Sequence, residues 1–189
     1  MSDLESARRE SVLSSAGGFP FLFMNGVGWM AVGLLALFFP LKTSALCMMF
    51  VGVVTMPLSF GLQAAMKLPK ASKDNPLTPL AIQMATSQLF FFPALIVLYA
   101  VRPEFVPLGF ACAVAAHFTP YAWLQMTKVY AVLAGAVSLG GYLLINLFTA
   151  PILRFTLVCY WTGLCLIVGA FLVKAWSNKV KLQASAATA

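Results

Sequence analysis

Six apolar runs, at residues 19–39, 45–66, 79–101, 106–123, 129–149 and 155–173, cover nearly the whole chain and leave almost nothing for a soluble domain. A bilayer's hydrocarbon core is roughly 30 Å thick and a helix rises about 1.5 Å per residue, so about 20 apolar residues cross it. The pattern predicts an all-α integral membrane protein with six transmembrane helices, three sequential helical hairpins in one bundle. On this division residues 1–18 are an N-terminal tail, 19–175 the transmembrane domain and 176–189 a C-terminal tail.

Charge follows the same division. Charged residues are only 9% of the chain and hydrophobic ones 61%, whereas a soluble domain is about a quarter charged. All five acids (Asp3, Glu5, Glu10, Asp74 and Glu104) lie outside the apolar runs. A carboxylate in hydrocarbon is expensive and is kept where ion coupling or chemistry needs it. Their position speaks against a sodium- or proton-coupled carrier built on buried acids, and against a carboxylate-based intramembrane hydrolase.

The net charge of +7 raises nucleic acid as a partner, but the basic residues form no patch. Nine of them (Arg8, Arg9, Lys67, Lys70, Lys73, Lys128, Lys174, Lys179 and Lys181) fall on one side of a six-span topology. Lys42, Arg102 and Arg154 fall on the other. Cytoplasmic loops are enriched in Lys and Arg, so both termini are expected in the cytoplasm. The basic excess is topological and suits anionic membrane lipid, and nucleic acid is not a partner on this reading.

Arg8 and Arg9 resemble a signal-peptide n-region, but the run after them exceeds a typical 7–15-residue h-region and no small-residue cleavage site follows. The first span therefore reads as an uncleaved anchor. Residues 1–15 have a thin apolar face suited to a short interfacial helix, and the QASAATA tail reads as disordered.

The loops on the less basic side, FFPLKTSA, YAVRPEFVP and LFTAPILRF, are short and each carries proline and one basic residue. Pro57 with Gln63 is echoed by Pro120 with Gln125, and Thr162-Gly163 sits at a comparable depth, which is either a threefold hairpin repeat or the common look of tight six-span bundles. Asn75-Pro76 reads as an N-cap with proline at the first helical position of the third span, and Pro93 should bend that span. Ser87 or Gln88 would serve the carbonyl that Pro93 frees.

Helices in lipid associate through small residues. Gly109-x-x-x-Ala113, Cys112-x-x-x-Ala116, Ala131-x-x-x-Gly135 and Ala136-x-x-x-Gly140 predict that the fourth and fifth spans are the inner, tightly packed pair. The phenylalanine-rich first and third spans would then face lipid or fill gaps. Asn25 and Asn146 are expected to hydrogen-bond between helices.

One polar constellation stands out. His117, the single histidine, continues the Gly109–Ala113 stripe and so faces protein; Tyr121, Gln125 and Lys128 follow on roughly the same face if the helix persists past Pro120. If Pro120 opens a turn instead, these groups line the mouth of the bundle. Gln83, Ser87 and Gln88 are candidate partners at similar depth. An ionisable group inside a membrane is a functional hypothesis by default; the bland alternative is a neutral histidine locking two helices together. These seven residues form the candidate ligand site. Lys128 also reads as a snorkelling lysine at the membrane edge.

Other chemistry is thin. Cys47, Cys112, Cys159 and Cys165 lie within spans without C-x-x-C spacing and read as small hydrophobes. One histidine and no acid in the spans give no donor set for a metal. No phosphate loop, dinucleotide fingerprint or nucleophile elbow occurs, so no cofactor is expected. A lipid-acting enzyme with His117 as general base lacks a second catalytic group.

Asn75-Pro76-Leu77 leading a span, then His117-Phe118-x-Pro120-Tyr121-Ala122 and Tyr130-x-Val, resembles a small bacterial multi-pass membrane family catalogued as a domain of unknown function. The likeness covers roughly residues 20–175, implies a bacterial inner-membrane location, and brings no activity. Two function classes stand. One is a small permease or channel-like protein passing a neutral or weakly charged small molecule near His117. The other is a non-catalytic accessory subunit or lipid-binding protein, with a membrane protein partner or a second copy of itself.

Overall fold

The computed structural model describes residues 3–186, and every regular element among them is helical. The helices are α1 (Asp3–Ser15), α2 (Phe19–Leu35), α3 (Leu41–Ala65), α4 (Leu77–Ser87), α5 (Phe92–Val101), α6 (Val106–Leu124), α7 (Val129–Leu147) and α8 (Pro151–Ala186). Tight 3-10 turns link α1 to α2 (Ala16–Gly18), α4 to α5 (Gln88–Phe91) and α5 to α6 (Pro103–Phe105). Among the described residues, six helical stretches are long and apolar enough to cross a membrane, with α4 and α5 together making the third.

Local chemistry sets the boundaries. The Asn75 side-chain oxygen accepts the Leu77 N–H at 2.9 Å, satisfying the first N–H of α4, and Pro76 stands immediately before the helix. Pro93 has no N–H to donate, and the helix tightens into the Gln88–Phe91 turn just before it, then resumes at Phe92. Pro57 and Pro120, by contrast, sit inside α3 and α6 without ending them. Arg154 donates to the Ile145 and Phe148 carbonyls at 3.0 and 2.7 Å, satisfying the open C-terminal end of α7.

Neighbouring spans pack as hairpins, α2 with α3, the third span with α6, and α7 with α8. Around the bundle the order is α3, α2, α8, α7, α6 and the third span. α5 packs against α3, whereas α4 makes at most a marginal contact with it, so the ring is least closed between α3 and α4.

The tightest crossing is α2 with α8. A Cβ built on Gly26 would lie 2.9 Å from the Gly163 carbonyl oxygen, and one built on Gly163 would lie 2.9 Å from that of Gly26. Gly33, on the same face of α2, rests against Cys159. α6 and α7 do pack together, but their small-residue stripe is not the closest approach in the bundle: Gly135 has nothing within 4 Å of a built Cβ. The phenylalanines of α2 also differ from expectation. Phe19 is buried, stacks on Phe23 with centroids 5.5 Å apart, and meets Phe171 of α8 edge-on. In the third span Phe90 and Phe91 face outward, Phe90 being 86% exposed, whereas Phe92 packs edge-on against Phe110 of α6 with centroids 5.7 Å apart.

Asn25 bridges helices, accepting from Thr55 Oγ1 at 2.9 Å. Asn146 does not; it is exposed and donates to Tyr142 O of its own helix.

Both described chain ends lie at one end of the bundle, called here the termini end. α1 packs onto the bundle through Ala7, Val12 and Ser14, which are buried. At 36 residues α8 is about 54 Å long, well beyond what a bilayer core requires. Its extension reaches α1, where Ser177 donates to Val12 O at 3.4 Å, and it runs on to Ala186 through part of the expected tail. Residues 187–189 of that tail lie outside the described residues.

Candidate functional site

A cavity of about 560 Å³ occupies the termini half of the bundle, between α2, α3, α4 and α6, with α1 beneath it. Its inner end is closed by Trp29, Val114 and Leu166. Among the described residues no Asp, Glu, Lys or Arg lines it.

α6 supplies its polar wall. The helix persists past Pro120, so His117, Tyr121 and Gln125 stand four residues apart on one face and all line the cavity. The His117 ring lies 4.8 Å from Phe118 and meets Tyr121 edge-on at 5.7 Å. The Ala113 carbonyl is close enough to interact with the imidazole, but Nδ1 makes no hydrogen bond of regular geometry among the described residues. Tyr121 donates its hydroxyl hydrogen to Ala81 O at 2.8 Å and so ties α6 to α4. Gln125 is only 4% exposed, and its Oε1 has no partner among the described residues. A buried polar atom left unpaired costs about 1–3 kcal/mol, and among the described residues the hydroxyls of Thr156 and Thr162 share that condition with Gln125 and His117.

Gln88 joins His117, Tyr121 and Gln125 on the cavity wall. Gln83, Ser87 and Lys128 do not: all three are exposed. Ser87 donates to Met84 O at 2.7 Å, and Lys128 ends the turn after α6.

Several lining residues carry no signal in hydropathy, small-residue stripes or motif spacing. Ser11, Ser14 and Ser15 come from α1, which reads as a separate tail. Their three- and four-residue spacing on one helix face is the cue that could have found them. Each donates backward along its own helix: Ser11 to Ala7 O, Ser14 and Ser15 to Ser11 O, at 3.0, 3.3 and 2.7 Å. Their oxygen lone pairs stay free to accept. Tyr130 of α7 closes the remaining corner, donating to Gly17 O at 2.7 Å and packing against Phe118 at 5.4 Å.

The site is thus an uncharged chamber lined by one imidazole, three carboxamides (Asn25, Gln88 and Gln125) and three serine hydroxyls. A neutral imidazole or a carboxamide offers both a donor and an acceptor. Such a wall offers hydrogen bonds to a neutral group but no formal charge to offset the desolvation of an ion.

Residues 4–175 match the family of unknown function DUF7010. The chain belongs to this family. The match spans α1 as well as the six apolar helices, so the serines of α1 fall inside the family's extent. Neither the curated proteins nor the solved structures give a match.

Proposed function

We propose that this member of the DUF7010 family is a small permease-like membrane protein that takes an uncharged or weakly charged small molecule into the bundle at His117. The observation that carries the reading is the charge-free cavity whose wall holds His117 and Gln125 without a full set of hydrogen-bond partners among the described residues. Its volume of about 560 Å³ lies within the 300–1,000 Å³ range of small-molecule sites. A continuous channel is the weaker form of this reading, because Trp29, Val114 and Leu166 close the cavity's inner end. Passage then needs a rearrangement, and the loosely packed third span is the element suited to move.

The second reading, a lipid-binding or accessory protein, draws on the least closed side of the ring, between α3 and α4. Native mass spectrometry of protein gently extracted from its own membrane separates the two. The expected result is a retained small molecule that is lost in the His117→Ala variant while the protein stays folded. A stoichiometric protein partner with no small molecule would replace the permease reading with the accessory one.

A further inference from the structure

The cavity's polar end and its opening point to a more specific ligand. At its side the cavity is bordered by Met56 and Phe60 of α3 and by Ile82 and Thr86 of α4, all exposed on the flank of the bundle. Met56 and Ile82 sit well inside their helices, roughly 8–14 Å from the helix ends at 1.5 Å per residue. In a bilayer crossed by these helices the mouth would lie at the depth of acyl chains. Toward the termini end the same chamber is covered by α1.

From mouth to end the lining changes character. Phe21, Leu22, Met56, Phe60 and Val114 are apolar, whereas Gln125 Oε1 is a buried acceptor without a partner among the described residues. The serines of α1 have spent their hydrogens on backbone carbonyls and offer lone pairs. A head bearing hydrogen-bond donors satisfies these groups. An ammonium is disfavoured because no acid lines the described cavity, and a phosphate because no Lys or Arg does. A hydroxyl remains.

Resting on the reading of His117 and Gln125 as ligand groups, we infer that the cavity takes its ligand sideways from the lipid layer through the α3–α4 gap, and that this ligand is an uncharged lipid with a hydroxyl-bearing head, of the monoacylglycerol or long-chain alcohol class. The head lies against Gln125, His117 and the α1 serines, and the chain leaves past Met56 and Ile82.

Trp29 at the inner wall is a built-in reporter. The full chain, in phosphatidylcholine nanodiscs, is titrated with 9,10-dibromostearoyl monoglyceride, whose bromines quench nearby tryptophan fluorescence. Trp29→Phe serves to isolate the cavity signal from the other three tryptophans. The expected result is saturable, Trp29-dependent quenching. The methyl ester of the same acid, lacking the hydroxyls, and the Gln125→Leu variant each weaken it about tenfold, the worth of one good hydrogen bond. The methyl-ester comparison uses the unaltered chain, so it decides even if Gln125→Leu fails to fold. Equal quenching by both esters overturns the hydroxyl-headed assignment, and absence of any Trp29-dependent quenching overturns the lipid one. A water-soluble neutral molecule retained in a His117-dependent way would leave the permease reading standing while this one falls.

Discussion

Gly163 shows how one missing methyl group can set a helix crossing. Alanine there gains helix propensity of up to about 1 kcal/mol over glycine. Its Cβ, however, would sit 2.9 Å from the Gly26 carbonyl oxygen and 2.8 Å from Met30 Cγ. Methionine can swing aside; a backbone carbonyl in a packed helix cannot, so the helices must separate at an overpacking cost of about 1–3 kcal/mol. Gly163→Ala is therefore expected to lower the melting temperature in detergent. Gly135→Ala meets nothing within 4 Å and is expected to leave it unchanged or raise it; equal losses at the two sites would remove the crossing from its central role. A second residue-scale coupling joins the α1–α2 turn to α7. Gly18 has φ +88, and a Cβ on it would lie 2.1 Å from the Tyr130 hydroxyl oxygen but 3.5 Å from Cζ. Gly18→Ala is expected to cost more in the native background than in Tyr130→Phe, where only the left-handed backbone strain of about 1–2 kcal/mol is left. Thermal or denaturant melts of the four-member cycle measure that difference, and strict additivity would contradict the contact.

At the scale of elements, α1 owes its position to a few polar contacts rather than to a broad apolar face. Asn75 Nδ2 donates to Ala7 O at 3.0 Å and to Glu10 Oε2 at 2.8 Å while its Oδ1 accepts the Leu77 N–H. Gln63 donates to Ser14 O at 3.0 Å, and Arg8 donates to the Trp123 carbonyl while stacking 4.5 Å over the Trp123 ring. Asn75→Ala deletes three bonds at a buried position, so a loss of about 2–3 kcal/mol is expected. Hydrogen exchange should rise first over α1 and the start of α4 and leave the α2–α8 crossing protected. Uniform loss of protection would instead make α1 part of the global core. The sequence carries the six apolar runs because length and hydropathy are local properties, and the Asn75-Pro76 start and the Pro93 break are legible for the same reason. α1 is not, since its partners lie 49 to 165 residues away, as with Gln63–Ser14 and Ser177–Val12. The choice of α2 and α8 as the central pair is equally opaque. Helices that are apolar all round present no stripe to read, and which small residues meet depends on how the spans are arranged in the bundle. At the site, the helical spacing of His117, Tyr121 and Gln125 is readable within one span, whereas the α1 serines and the α3–α4 mouth exist only in the assembled bundle.

For the whole molecule the remaining question is which leaflet the cavity serves, and the distribution of charge supplies a testable expectation. Nine of the twelve basic residues lie at the termini end. Of the three at the other end, two are engaged locally: Arg102 pairs with Glu104 at 3.2 Å, and Arg154 caps α7 while both lie over the Phe105 ring. That leaves Lys42 as the exposed lysine there, against a field of lysines at the termini end, and the charge rule predicts such an end to face the cytoplasm. The cavity, confined to the termini half, would then open onto the inner leaflet. Site-directed thiol labelling in intact cells checks this. Lys70→Cys, in the loop before α4, is expected to react with a membrane-impermeant maleimide only after permeabilisation. Thr43→Cys, exposed at the start of α3, is expected to react at once. Both are read against the native cysteines, which lie within the helices. The reverse pattern would turn the bundle over, and a ligand would then have to be drawn from the outer leaflet instead.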